Sequence, residues 1–458
     1  MIPPPAASLK GSAQRAEPPS ADAAGGGMNR LRHGVALVQE GSLYALLLFL
    51  PFSKAALEVA FGGLLITWLV MRLDPKTRAQ TLWRKPQLQP LLWAAAVFLS
   101  ICALSTLVST DLTLSLRGLT RKWLEYVVLF AIVTDVASQP GVAQRSLQVL
   151  VASACVVVFE GVTQERYGNG FFRDYRLDFF RRMTGPYENP IDLATYLMVI
   201  IPPLIVYMFL RHGAARWRVG ALALAVILCF ARASSLGAWM GLGIGLMVMG
   251  WEKTALRRYA VRTLVMAIVL GGAFLVGSGR VRSALSLSDI GKQDRLAMWQ
   301  SAFRMIGDRP VLGQGVNTFM ANYLEYWVGG ERSPRYAHNC YLQMGAETGL
   351  VGLWVFLSFL WSVVGLWWSA VRQRLDGSTG VLLLGLMAGL VAFLIQAAVD
   401  TNFYSLRQAF LFWTFAGIAT GLAAGHGPQP SPSSALRASE RPLRSLGEAG
   451  YGRLGQSA

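Results

Sequence analysis

The sequence predicts an all-α, polytopic membrane protein, and three observations carry that prediction. Of its 458 residues 53% are hydrophobic and only 15% charged, with a mean hydropathy of +0.42, where a soluble domain carries about 25% charged residues. Runs of about 20 apolar residues, the length a helix needs to cross a bilayer, recur along the chain. The alternating ten-residue segments of a membrane β-barrel are not found in it.

Taken in order, residues 1–32 are rich in Pro, Ala, Gly and Ser and are expected to form an unstructured tail. Met28, followed by Asn29-Arg30-Leu31-Arg32, offers a second start of translation. Twelve spans are expected, at about 34–52, 55–71, 89–109, 122–136, 146–162, 190–210, 216–231, 234–250, 261–278, 346–370, 378–399 and 404–424. The first has the look of a signal peptide's apolar core, but the many spans after it favour a retained helix. Nine spans thus fall within 33–278, together with a polar segment at 163–190, and three within 346–424. Between these groups lies a large polar loop, 279–345, and after them a Ser-, Pro- and Arg-rich tail, 425–458, expected to be unstructured. No internal repeat of fixed period is visible.

An even number of spans puts both termini on one side. The basic segments 72–86, 211–218 and 251–262 fall on that side with the two tails and mark it as cytoplasmic. The net charge of +17 is therefore largely an orientation signal, which argues against a nucleic-acid partner. On the other side, 163–190 and 279–345 hold thirteen basic residues, twelve of them Arg. Long translocated loops tolerate charge, but Arg is also the side chain that grips phosphate with two parallel bonds. The four cysteines form no CxxC pair, and three sit in apolar spans, so neither a disulfide framework nor a zinc site is indicated.

Four stretches are candidates for chemistry. In RRMTGPYENPIDLATY, 181–196, Gly185-Pro186 and Asn189-Pro190 are turn signals, and Asn189 or Asp192 is placed to cap the next span. Either this is a plain surface loop, or Arg181 or Arg182 faces a site. Arg232 interrupts two apolar spans, where an arginine faces a cavity or partner, or else snorkels to lipid headgroups. In 292–315, Leu296, Trp299, Phe303 and Ile306 recur at helical spacing. They predict an amphipathic helix on the outer leaflet, ended by Gly307-Asp308 and Pro310. Arg295 lies in its first turn, while Arg304 and Arg309 read as solvated; Gly313-Gln314-Gly315 has no following GK[ST] and is no nucleotide loop.

The fourth stretch is AHNCYLQMGAETG, 337–349. Of the four histidines, His33, His212, His338 and His426, only His338 falls outside the cytoplasm on this topology. A neutral imidazole at the start of an apolar helix, beside Arg-bearing loops, can take a proton from a hydroxyl. A lone histidine is otherwise a structural hydrogen-bonder. It has no local carboxylate or Cys partners for a metal, and there is no GxSxG nucleophile elbow.

Together RRMTGPYENPIDLATY, RASSLGAWMG, DRLAMWQSAFRMIGDRPVLGQG and AHNCYLQMGAETGLVG resemble the O-antigen ligase and polymerase superfamily over about residues 100–420, most closely the lipopolysaccharide O-antigen ligases. The resemblance implies a GT-C-like helical glycosyltransferase in the bacterial inner membrane. It implies an undecaprenyl-diphosphate-linked glycan as donor, the lipid A–core oligosaccharide as acceptor, and no metal or other cofactor. By position it makes His338 the base that activates the acceptor hydroxyl. It assigns Arg232 and Arg295, and with them Arg182, to the donor diphosphate. Cys340 departs from the pattern without an evident role. The sequence leaves open a polymerase, which would use a second lipid-linked glycan as acceptor. It also leaves open a flippase or transporter, for which Glu58, Glu125 and Glu160 are the available intramembrane acids. A non-catalytic scaffold is the remaining reading.

Overall fold

The computed structural model describes residues 21–79, 81–277, 290–329, 332–374 and 377–425. Of the expected tails, 1–20 and 426–458 lie outside the described residues, as do 278–289 and 330–331 of the large loop.

The described residues are mostly helical. Its longer helices are α1 Ala21–Phe49, α2 Lys54–Leu73, α3 Gln89–Leu107, α4 Glu125–Ala137, α5 Val142–Tyr167, α6 Pro190–Leu210 and α7 Gly213–Ala233. They continue with α8 Leu236–Glu252, α9 Thr254–Gly277, α10 Ile290–Asp308, α11 Cys340–Arg374, α12 Ser378–Gln396 and α13 Leu406–Gly425. No strand is present among the described residues, only an isolated bridge between Asn169 and Arg176. Among the described residues eight helices are long and apolar enough to cross a membrane: α2, α3, α5, α6, α7, α11, α12 and α13. The other four expected spans coincide with α1, α4, α8 and α9. α4 has only 13 residues, but it continues a helical run from Leu112 through a π-helical turn, Leu119–Leu124.

One expectation is corrected. α1 begins at Ala21, inside the stretch 1–32 assigned to an unstructured tail. The helix runs from there into the first span without a break, through Gly25, Gly26 and Gly27, whose low helix propensity is what marks the stretch as loose in the sequence.

The helix ends follow their local chemistry. Ser53 caps α2 by accepting from Ala56 N at 3.2 Å. Asn189, one of the two caps considered, caps α6 by accepting from Ile191 N at 2.8 Å, with Pro190 at the first helical position. Gly141 and Gly168, at φ 79° and 87°, turn the chain at the two ends of α5.

Small residues let the central helices touch backbone to backbone. Gly241 and Gly245 of α8 lie against the Ala392 and Ala388 carbonyls of α12, and Gly389 of α12 lies against that of Val199 on α6. A side chain at these positions would part the helices, the packing logic expected where lipid supplies no hydrophobic drive. α13 is buried along its length, and Trp413 stacks on Phe359 at 5.8 Å with edge contacts to Phe130 and Phe412.

Polar contacts gather at two opposite ends of this bundle. At one, Arg72 pairs with Asp135, which also accepts from Trp68 Nε1 at 3.0 Å, and Lys85 and Arg374 reach the Ala424 and Leu422 carbonyls at 2.6 and 2.9 Å. At the other, the α1–α2 turn, the 168–189 segment, the α7–α8 turn, the 309–339 loop and the α12–α13 turn meet. That end carries every candidate site residue.

Candidate functional site

The site is built on the start of α11. Asn339 caps this helix, its Oδ1 accepting from Tyr341 N and Leu342 N at 3.0 Å each. His338 therefore stands just outside the helix, in the left-handed region at φ 47°. A non-glycine residue is held there only at a cost of about 1 kcal/mol or more, which surrounding contacts must offset. They do so by locking α11 to the α12–α13 turn. Cys340 N donates to the carbonyls of Ala397 and Asp400 at 2.8 and 3.1 Å. Its thiol donates to the Asp400 carbonyl at 3.1 Å, and Phe403 N lies 3.4 Å from the sulfur. Cys340, without a role in the sequence reading, is thus the joint that fixes the turn beside the histidine.

The turn presents Asp400 to the imidazole, with Nδ1 of His338 3.4 Å from Oδ1. Oδ1 also accepts from Thr401 N at 2.8 Å. The Asp400 side chain is 13% exposed and that of His338 35%, so the carboxylate is the covered partner and the ring the accessible one. A carboxylate at Nδ1 favours the tautomer protonated there, leaving the Nε2 lone pair free to accept a proton.

The candidate arginines differ in their engagement. Arg232, in the last turn of α7, meets Glu165 with Nη2 at 2.7 Å from both carboxylate oxygens and Nε at 3.1 Å from one. Its carbonyl accepts from Met183 N at 3.2 Å, and its Nη2 lies 3.5 Å from the Arg181 carbonyl. Arg182 is held within its loop by Asp178, Nε to Oδ2 at 2.7 Å and N to Oδ1 at 2.6 Å. Arg295, half-buried in the first turns of α10, makes no hydrogen bond or ion pair among the described residues. Its neighbour Asp294 pairs through Oδ2 with Arg335 Nη1 at 3.3 Å, three residues before the histidine, which ties the start of α10 to the segment leading into His338. Arg232 adjoins the site through the α7–α8 turn, where Gly237 packs on Val399, next to Asp400.

α10 is the amphipathic helix expected, but its core-facing side is Met298, Ser301, Ala302 and Met305. Of the expected stripe, Leu296 and Phe303 are exposed, whereas Trp299 is half-buried and Ile306 packs against the core-facing side. Arg309, expected to be solvated, donates to the Val108 carbonyl at 3.1 Å while remaining on the surface. Asp308 closes the end of the helix. Hydrogen bonds from the Tyr326 hydroxyl at 2.7 Å and from Gln314 Nε2 at 3.3 Å hold its carboxyl below the ordinary range.

Behind His338 lies a polar node that the sequence reading did not anticipate. Glu347, buried, accepts from Asn317 N at 2.7 Å and Gln343 Nε2 at 3.1 Å, and Lys122 from the π-helical turn reaches Asn317 Oδ1 at 2.6 Å. Gly313 and Gly315, at φ 68° and 116°, press the 309–318 loop onto the Ala346 and Glu347 carbonyls, with Gln314 N and Gly315 N donating at 2.9 Å each. The Gly-Gln-Gly segment is thus a docking seam. α11 itself breaks at Gly349, φ 72° and ψ 178°, beneath the Val311 carbonyl.

Arg407 was missed as well. Only 4% exposed, it donates to the Pro51 and Pro186 carbonyls at 3.1 Å each and lies 4.4 Å over the Tyr187 ring, pinning three segments at the site's edge. The signal was an arginine opening an apolar span. Asp400 had a similar signal, an acid between two spans, but only the fold gives it a histidine.

Comparison with known proteins bears on one part of the chain. Residues 219–357 match the family model described as O-antigen ligase. The match takes in Arg232, Arg295 and His338, while Asp400 and Arg182 lie outside it. A search of curated proteins finds no match.

Proposed function

We propose that this membrane protein is an O-antigen ligase, of the ligase and polymerase superfamily of glycosyl-transferring enzymes that the match over residues 219–357 supports. The reaction moves a glycan from undecaprenyl diphosphate to a hydroxyl of the lipid A–core oligosaccharide, at the periplasmic face of the inner membrane. The observation that carries the reading is an accessible imidazole backed by a covered carboxylate: His338, inside the family match, with Asp400 brought to it by the α12–α13 turn.

In this reading all twelve apolar segments cross the membrane in a GT-C-like arrangement, with both termini in the cytoplasm. The donor diphosphate lies near Arg295, whose guanidinium has no protein partner among the described residues, and Arg232. Arg232 must share its charge with Glu165, and Arg182 with Asp178, so Arg182 contributes at the rim. His338 Nε2 removes the acceptor hydroxyl's proton as the oxygen bonds to the anomeric carbon. The carbon–oxygen bond to the diphosphate breaks on the opposite side, which inverts the centre. Charge growing on the leaving diphosphate strengthens its bonds to guanidinium, so those bonds favour the transition state over the bound substrate. The imidazolium formed meanwhile is stabilised by Asp400.

The test is transfer by the purified protein from polyprenyl-linked glycan to lipid A–core. Wild type should form the product, and His338→Ala should lose about 10²–10⁴-fold in rate. Arg295→Lys should fail too, since an ammonium cannot reproduce the planar fork. Extension of a second lipid-linked glycan, with no product on lipid A–core, would instead make the chain a polymerase.

A further inference from the structure

The segment between α5 and α6 combines a fixed backbone with an exposed apolar face. Glu160, fully buried on α5, accepts from the backbone N–H groups of Phe171, Phe172 and Arg173, each at 2.9 Å. Gln164 accepts from Thr184 N and Gly185 N at 3.0 Å, and donates to the Tyr175 carbonyl at 2.9 Å. Asp178 Oδ1 accepts from Phe180 N at 3.1 Å and Arg182 N at 2.6 Å. A loop so heavily tied has little freedom to fold its side chains inward. Yet Phe171, Phe172, Phe179 and Phe180 are 68%, 55%, 93% and 50% exposed. Clustered apolar surface of this kind on a rigid support marks an interaction face.

Two further observations say what covers it. The Phe171 and Phe172 rings lie 5.5 and 6.1 Å from Phe159, which with Val162 is exposed on the flank of α5, so the apolar face continues a membrane-crossing helix. Among these phenylalanines stand Arg173, Arg176 and Arg181, none with a carboxylate partner among the described residues. The Nε of Arg173 is buried without a hydrogen-bond partner. The nearby acids are engaged elsewhere, Asp174 by Asn169 at 2.7 Å and Glu188 by Tyr175 at 3.1 Å. Phenylalanine pairs beside unneutralised guanidinium groups suit a molecule with acyl chains and phosphate in one body. The segment also abuts the reaction centre, since the Arg181 carbonyl lies 3.5 Å from the Arg232 guanidinium.

We propose that residues 168–182 are the seat of the phosphorylated acceptor glycolipid. The phenylalanine pairs lie among its acyl chains, and Arg173, Arg176 and Arg181 hold its phosphates, so that its sugar faces His338. The identity of this lipid rests on the ligase reading; the seat for a phosphorylated lipid does not.

The test uses the full chain in phosphatidylcholine nanodiscs, with the photo-crosslinking residue benzoylphenylalanine in place of Phe179 and bisphosphorylated lipid A as probe. Lipid A adducts should dominate by mass spectrometry. They should fall about tenfold or more, the worth of a charge-assisted bond, with dephosphorylated lipid A or in the R173Q/R176Q/R181Q variant. Phosphatidylglycerol in equal amount should compete poorly. Adducts insensitive to phosphate and to the arginines, or equal capture of phosphatidylglycerol, would overturn the proposal. Phe179→Ser, tested for transfer at limiting and saturating acceptor, supplies a second readout and should raise KM for the acceptor while sparing kcat. His338→Ala should keep the lipid adducts, so failed capture and failed transfer are separable results.

Discussion

At the scale of single residues, the account turns on how a carboxylate conditions an imidazole. Asp400→Asn keeps the shape of the turn but removes the charge facing Nδ1, and can present an amide N–H in place of an acceptor. Its transfer rate should fall about tenfold or more, because the imidazolium formed in the reaction loses the carboxylate that stabilises it. An unchanged rate would remove Asp400 from the mechanism. Cys340→Ser tests the joint rather than the chemistry: a hydroxyl can still donate to the Asp400 carbonyl, so most activity should remain, whereas Cys340→Val should lose both activity and thermal stability. His338 was legible as a candidate because histidines are few, and Arg295 because it stands at the polar–apolar boundary of a helix. Asp400 was not, since a sequence separation of 62 residues hides the pairing.

At the scale of elements, the seam between the 309–318 loop and α11 is held by backbone conformation that only glycine adopts without strain. Gly349→Ala would force a side chain against the Val311 carbonyl at φ 72°, ψ 178°. It should cost about 1–3 kcal/mol from the backbone alone, read as a lowered Tm with a matching loss of transfer. At the end of α10, Tyr326→Phe removes a hydrogen bond that Asp308 accepts when ionised. The Asp308 carboxyl is held below its ordinary range, so the stability this bond gives is present above the unfolded pKa. It is lost as pH falls through the folded one. The Tm gap between wild type and Tyr326→Phe should therefore be widest near neutrality and should narrow in acid. The amphipathic nature of α10 and its end were readable from periodicity and the Gly307-Asp308-Pro310 stop. Which face lay inward was not, because in a protein bounded by lipid an apolar stripe suits either side. The beginning of α1 escaped because its composition, three consecutive glycines above all, marks the stretch as loose, while the helix continues through it.

At the scale of the whole molecule, the two polar ends keep the chain's segments apart in the order that alternating spans require. Contacts of Asp135, Ala424 and Leu422 lie at one end and those of Pro51, Pro186 and Asp400 at the other. That order was visible in the positions of the apolar runs, whereas the inter-helix glycine contacts were not, because they join residues distant in sequence. Orientation is testable directly. In a Cys155→Ser background, which removes the one exposed cysteine among the described residues, Cys in place of the exposed Glu325 should react with a membrane-impermeant maleimide in intact spheroplasts. Arg78→Cys should react only after permeabilisation, and the reverse pattern would invert the topology. The polar ends also explain why arginines recur here as structure: Arg407 holds two carbonyls, and Arg232 and Arg182 are each answered by an acid.

The most direct measurement is single-turnover transfer of a radiolabelled, polyprenyl-diphosphate-linked glycan to lipid A–core by the purified chain, comparing wild type with His338→Ala at matched stability. Labelled lipopolysaccharide should form with wild type, and the rate should drop about 10²–10⁴-fold in the variant. Transfer at a wild-type rate by a folded His338→Ala protein would contradict the assignment of the base.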